Sequence, residues 1–327
     1  MPLSYKIRRL LIISIAVIIL AISANEGVKS TEKNIAKPTP TSIPYSYPPL
    51  EIDPEIIDNA IGSVVPKSVE VVKPPSPPPR PLVSAEAYLV ANLQTGEIYS
   101  EHNGSKVFPI ASLSKLVTAV VSLKNLQPDQ KITITQSMLD SYGEAGKLVL
   151  GETLTVSDLI HPLLLESSND AAEALAQSYG YADFVSKMNS FVAELGMSST
   201  IFKDPSGLSA NNMSNARDLL LLSRYLFTQE TALLDLSRQT VVTLATTTEH
   251  GSHVWNTINP FPLDPHFIGG KTGRTLEAKE SMISLFRYEY KGITYPVAII
   301  VLRSDFRVRE LDSAFLFERF MQKIEAR

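Results

Sequence analysis

Residues 281–303 read SMISLFRYEYKGITYPVAIIVLR. Ser281–Tyr288 and Thr294–Arg303 are rich in β-branched and aromatic residues, and Lys291-Gly292 between them supplies turn chemistry, so the segment predicts two paired strands. Near residue 83 the same signal appears: Tyr88-Leu89-Val90-Ala91 and Glu97-Ile98-Tyr99 flank Gln94-Thr95-Gly96 and predict a second hairpin. A helix is expected after the C-terminal pair, from Val308 to Ile324. The sequence between the hairpins is mostly helical. Leu113, Leu116, Val117, Val120 and Val121 follow a 3.6-residue period, as do Ala171, Ala172, Leu175 and Ala176. Thr155, with Asp158 three residues later and Leu159-Ile160 following, reads as an N-cap with an acidic third position. Strands at both ends around a helical middle imply one antiparallel sheet closed by the two chain ends, in one domain over residues 83–327.

The first 82 residues have a different texture. Lys6, Arg8 and Arg9 precede Leu10–Ala24, an almost purely aliphatic run that reads as an export signal or a membrane anchor. It is short for a spanning helix, which needs about 20 residues, and Ala21-Ile22-Ser23 resembles a cleavage site. On either reading the basic flank keeps the N-terminus in the cytoplasm and sends the rest outside. Residues 25–82 hold thirteen of the 22 prolines, ending in Pro74-Pro75-Ser76-Pro77-Pro78-Pro79-Arg80-Pro81. Such a stretch builds no core and reads as an extended, disordered spacer of about 3 Å per residue. A spacer serves a tethered domain, which favours an uncleaved anchor. Asp53-Pro54-Glu55-Ile56-Ile57 carries a short helix-start signal within it.

Composition narrows the chemistry. With 327 residues, 44% of them hydrophobic, the chain buries a sizeable core. A net charge of -4 and no long basic block argue against nucleic-acid binding. The absence of cysteine removes disulfides, thiolate catalysis and thiolate metal sites, so any nucleophile is an oxygen or an amine. Five histidines form no HExxH pattern; the pair His250/His253 reads as a surface feature, and neither a metal nor another cofactor is expected.

Three short motifs carry chemistry. In Ser112-Leu113-Ser114-Lys115 the first and last side chains share one face at the start of a helix, so a hydroxyl and an amine meet as nucleophile and base. That requires an amine of lowered pKa, and a helix N-terminus supplies N–H groups for developing negative charge. Alone, this spacing is most often a capping serine beside a solvated lysine. Ser167-Ser168-Asn169-Asp170 interrupts an apolar run between two helical stretches. It is either an interhelical turn with a capping serine or a hydroxyl and an amide aimed into a cleft. Lys271-Thr272-Gly273, expected just ahead of a strand, offers a cation and a hydroxyl for a carboxylate, with a glycine that permits close approach. Gly269-Gly270-Lys271-Thr272 imitates the end of a phosphate loop, but Pro265 stands where that motif needs glycine.

S-x-x-K, S-x-N and K-T-G in this order are the signature of class A β-lactamases and penicillin-binding proteins. The chain resembles, over residues 83–327, the low-molecular-weight serine D-Ala-D-Ala carboxypeptidases. The likeness is carried by Phe108–Leu116, Leu165–Ala172, Phe202–Leu208, Ser214–Leu219 and Lys271–Thr275. It implies a β-lactamase/transpeptidase-like α/β (α+β) fold with a helical subdomain between the chain ends. It also implies removal of the terminal D-Ala from peptidoglycan stem peptides, with β-lactams as covalent inhibitors. By resemblance, Ser112 is the nucleophile, Lys115 its base with a pKa held down by Lys271, and Ser167 a proton relay to the leaving amine. Asn169 orients Lys115 and the substrate amide, and Lys271, Thr272 and Gly273 bind the substrate, with Arg309 as a further carboxylate ligand. The oxyanion falls to the backbone N–H groups of Ser112 and Arg274.

The sequence departs from the family pattern at Pro162, expected to kink a helix, at Asn215 in place of the usual Thr, and at Lys279 in place of a usual Gly. With no residues read beyond the expected last helix, the β-rich second domain and C-terminal anchor of many relatives are not expected in this sequence. No Glu-x-x-Leu-Asn segment lies between Ser168 and Lys271, which argues against a class A β-lactamase. The alternatives carried forward are a D,D-endopeptidase or transpeptidase on the same fold, and a non-catalytic peptidoglycan-binding scaffold.

Overall fold

The computed structural model describes residues 83–143 and 146–327. The export signal or anchor expected at Leu10–Ala24, the proline-rich stretch and the helix signal at Asp53–Ile57 lie outside those residues. Among the described residues no helix is long and apolar enough to cross a membrane.

The chain enters through β1 (Ala87–Asn92) and β2 (Ile98–His102), passes β3 (Phe108–Pro109) and a 3₁₀ turn at Ala111–Leu113, and enters α1 (Ser114–Asn125). The middle holds β4 (Lys131–Thr133), α2 (Gln136–Leu139), β5 (Thr153–Thr155), α3 (Val156–Leu165), α4 (Asn169–Tyr179) and α5 (Tyr181–Glu194). Then come β6 (Met213–Ser214), α6 (Ala216–Gln229), α7 (Thr231–Ser237) and the pair β7 (Val241–Leu244) and β8 (His253–Asn256). The chain closes with β9 (Phe267–Thr275), β10 (Lys279–Tyr290), β11 (Ile293–Ser304) and α8 (Arg309–Glu325).

The five long strands form one sheet in the order β2-β1-β11-β10-β9, antiparallel throughout. As expected, the two ends of the domain meet, with Ala87 opposite Leu302 and Asn92 opposite Val297. The run PVAIIVL is apolar without a break because both faces of β11 are covered. Val297, Ile299 and Val301 pack with Leu316, Phe317, Phe320 and Ile324 of α8, while Ala298, Ile300 and Leu302 join the helical core. Each such fully buried Val or Ile contributes about 1.5–3 kcal/mol. On the helical side α1 is buried continuously from Ser114 to Ser122 and packs against α3, α4 and α5. The lysine of the first motif is therefore carried into the core.

Three local expectations change. Lys271-Thr272-Gly273 lies inside a strand rather than ahead of one, because β9 was not foreseen; Gly269, Gly270 and Gly273 lower its β-propensity and hide it. Pro162 does not interrupt α3, which runs unbroken from Val156 to Leu165. The Asp158 carbonyl, which has no Pro162 N–H to accept, lies 3.3 Å from Nδ1 of His161. Finally, His253 is buried, with its Nε2 2.8 Å from Glu152 Oε2 and its ring stacked on Trp255, so only the neighbouring His250 fits the surface reading.

Two departures have local causes. Asn215 is the N-cap of α6, its side chain accepting from Asp218 N at 2.8 Å, a duty that threonine also performs. Lys279 has φ +50°, the left-handed region in which glycine is at ease. The Thr155–Asp158 capping box is formed as read.

Candidate active site

Ser112 sits in the 3₁₀ turn just ahead of α1, and Lys115 occupies the first turn of that helix. One helical turn brings Lys115 Nζ to 3.1 Å from Ser112 Oγ. Two further groups contact the amine: Asn169 Oδ1 at 2.7 Å and the Ser206 carbonyl at 2.5 Å. A neutral amine has two N–H donors and one lone pair. In that neutral form Asn169 and Ser206 would take the two donors and leave the lone pair for the Ser112 hydroxyl. Burial lowers the Lys115 pKa to about 7, against the opposing pull of Asp204, Glu173 and Asp170. The expectation that Lys271 holds this pKa down is corrected: burial does so, and the repulsion between the two lysines is expressed on Lys271.

Lys271 is fully buried in β9, and its pKa falls well below the usual lysine range through burial, then through the charges of Lys115 and Arg309. Its Nζ donates to Ser167 Oγ at 2.8 Å and to the Thr272 carbonyl at 2.9 Å. The five central residues thus form two hydrogen-bonded groups, Ser112–Lys115–Asn169 and Lys271–Ser167. The Ser167–Ser168–Asn169 break does both things its sequence allowed. Ser168 Oγ caps α4 by accepting from Ala171 N at 3.1 Å, while Ser167 and Asn169 reach the lysines. Asn169 also donates through Nδ2 to the Tyr142 carbonyl at 2.6 Å.

Backbone strain marks both groups. Ala111 has φ +49° and Ser167 φ +63°, left-handed conformations that cost a non-glycine residue about 1–2 kcal/mol. Ser167 is held by its neighbours: Glu166 accepts from Gly146 N through Oε2 and from Asn256 N through Oε1, both at 3.0 Å. β9 passes directly beside the turn that carries Ser112. A Cβ on Gly273 would lie 2.9 Å from Ile110 O and 3.2 Å from Ser112 N, so the strand needs glycine there.

The remaining candidates lie at the far end of β9. Arg309 Nη1 donates to the Gly273 carbonyl at 3.1 Å and stands 3.9 Å from Glu280. The Arg274 side chain is exposed, 3.9 Å from Glu280 and over the Phe306 ring, so any part it takes in the cleft falls to its backbone. Sequence reasoning missed the Ser206 and Tyr142 carbonyls, since a backbone acceptor leaves no signature. The nearest signal was the Asp204-Pro205-Ser206-Gly207 turn chemistry.

A sheet closed by both chain ends, with a serine and a lysine one turn apart facing a lysine on the edge strand, defines the penicillin-binding class of serine folds. The chain belongs to the D-alanyl-D-alanine carboxypeptidase family, peptidase S11, which it matches over residues 72–300. It is 37% identical over 145 residues to a D-alanyl-D-alanine endopeptidase of Haemophilus influenzae, an alignment covering 43% of this chain and 50% of that one. It is 31% identical over 229 residues to D-alanyl-D-alanine carboxypeptidase DacB2 of Mycobacterium tuberculosis, covering 65% and 74%. The chain thus spans about half the length of the endopeptidase relatives it matches. Among solved structures, penicillin-binding protein D2 of Listeria monocytogenes in its cefotaxime-bound form superposes with a TM-score of 0.64. The two are 32% identical, over 74% of this chain and 98% of that one.

Proposed function

We propose that the domain over residues 83–327 is a serine D-Ala-D-Ala carboxypeptidase that removes the terminal D-Ala of peptidoglycan stem peptides through an acyl-enzyme on Ser112. The observation that carries this is the buried Lys115 amine, whose Nζ lies 3.1 Å from Ser112 Oγ and is held there by the Asn169 side chain and the Ser206 carbonyl. Ser112 Oγ attacks the carbonyl carbon between the two D-Ala residues, and its proton passes to Lys115 Nζ. The oxyanion is met by the backbone N–H groups of Ser112 and Arg274, worth about 3 kcal/mol per donor. Ser167 gives its proton to the departing D-Ala nitrogen as the C–N bond breaks and takes in exchange the proton that Lys115 received from Ser112. The substrate carboxylate lies against Lys271, Thr272 and Arg309, and its negative charge opposes the burial that lowers the Lys271 pKa. Water then releases the shortened peptide. β-Lactams present a similar carbonyl and trap Ser112.

The aliphatic run at Leu10–Ala24 supports an extracytoplasmic location, and the proline-rich stretch over residues 25–82 supports tethering to the membrane by that run. One observation favours a second reading. The endopeptidase relatives align at higher identity than the carboxypeptidase DacB2, although over a smaller share of their length. Cleavage of cross-linked peptides changes only the leaving group.

The test is D-Ala release from a diacyl-Lys-D-Ala-D-Ala peptide by residues 83–327 and by Ser112→Ala, beside digestion of cross-linked muropeptides. Release by the parent alone supports the carboxypeptidase. Cleavage of cross-links alone moves the assignment to endopeptidase, and inertness of both proteins on both substrates leaves the scaffold reading.

A further inference from the structure

Asp204 lies behind the base rather than beside the substrate. Its Oδ1 accepts from Ser206 N (2.7 Å), Ser206 Oγ (2.8 Å) and Gly207 N (2.5 Å), and its Oδ2 from Ser209 N (2.7 Å). Four donors on one carboxylate wind residues 204–209 into a tight turn. That turn presents the Ser206 carbonyl to Lys115 Nζ. Asn212 fastens it to α1: its Oδ1 accepts from Lys203 N at 2.8 Å, and its Nδ2 donates to Ser114 Oγ at 3.1 Å.

Charge acts alongside shape. The groups facing Lys115 are Asp204 from this turn, Glu173 and Asp170 from α4, and Lys271 from β9. Burial pulls the amine toward its neutral form, and an amine that sheds its proton too readily is a poor acceptor for a serine proton. Among the groups that restore basicity, Asp204 contributes most.

We propose that Asp204 is a positioning residue for the base: its carboxylate aims the Ser206 carbonyl at one N–H of Lys115, and its charge keeps the amine basic enough to take the Ser112 proton. The catalytic consequence rests on the acyl-transfer reading above; the coupling between Asp204 and Lys115 does not.

The experiment follows Lys115 in two ways, by ¹³C NMR titration of its Cε in lysine-labelled protein and by the pH dependence of acylation by benzylpenicillin. In the parent both are expected to show a midpoint near 7. Asp204→Asn removes the charge and sets an NH₂ group against the Ser209 N–H. Its NMR midpoint and the acid limb of acylation are expected to fall by about half a unit or more. Its plateau rate is expected to drop about tenfold as the amine loses its aim. An unchanged midpoint overturns the proposal even if the rate falls, because a purely structural role would lower the rate without moving the titration. A parent that forms no penicillin adduct sinks the acyl-transfer reading, while the NMR midpoints still decide the coupling. Should Asp204→Asn not fold, Ser206→Ala deletes one of the four bonds and keeps the charge. The plateau should then fall about threefold at an unchanged midpoint, and a parental plateau would overturn the proposal.

Discussion

Gly207 lies directly against the turn that carries Ser112, and replacing it with alanine tests whether that turn is braced from below. Its φ is +86°, and an added Cβ would stand 2.1 Å from Ala111 O, 2.3 Å from Ala111 C and 2.8 Å from Ser112 N. Ordinary contact begins near 3.4 Å, so one segment must retreat by about 1.3 Å. Every atom met is backbone, and no rotamer change relieves the overlap. Left-handed alanine costs about 1 kcal/mol and overpacking about 1–3 kcal/mol. A loss of about 3 kcal/mol corresponds to a fall in Tm of about 6–12 °C for a domain of this size. Displacing Ser112 by an ångström or so costs acylation about 100-fold. Thermal unfolding by circular dichroism and stopped-flow acylation with a fluorescent penicillin read the two effects. A Gly207→Ala protein with parental Tm and parental acylation rate would refute the claim that the Asp204–Ser209 turn holds the nucleophile in place.

Two further outcomes are expected. Lys115 titrates near 10.5 when unfolded and about 7 when folded, so between those pH values the unfolded chain binds more protons and stability rises with pH. The penalty for the buried amine is complete below about pH 7 and absent above 10.5. The difference in unfolding free energy between the parent and Lys115→Met, measured in urea, should therefore shift in the parent's favour as pH rises through this window; a flat difference contradicts a buried, depressed amine. At Lys279, in the left-handed region, glycine should be more stable than alanine by about 1 kcal/mol. The comparison is between Lys279→Gly and Lys279→Ala, both of which lose the ion pair with Glu86, and equal Tm values would contradict it.

Much of this fold was legible because its elements obey local rules. The hairpin over residues 281–303 carries strong β formers around a turn, and the Thr155–Asp158 box announces a helix start. β9 escaped because its glycines serve tertiary needs that override strand propensity: Gly273 lets the strand pass Ile110 and Ser112. The side chains of the site were legible for the opposite reason, since Ser112, Lys115, Ser167, Asn169 and Lys271 are chemically distinctive types at fixed positions. What sequence could not supply was the electrostatic balance. The Lys115 pKa depends on burial and on Asp204, Glu173 and Asp170, carboxylates far from it in the chain and near it only once folded. A second lysine was the obvious depressant to invoke from sequence; the low dielectric of the core is the larger effect.

The pairing of β1 with β11 sets an order of events during biogenesis. Ala87 has no partner on that side until Leu302 exists, so the central sheet cannot close while the C-terminal strands are still being made or moved. Contacts between such distant parts of a chain form late and slowly. Until then β1 offers an open edge that invites pairing with other chains. The same feature makes the protein intolerant of C-terminal truncation: a chain ending before Pro296 would keep its serine and both lysines and lose most of the central strand that joins the β1–β2 pair to the β9–β10 pair.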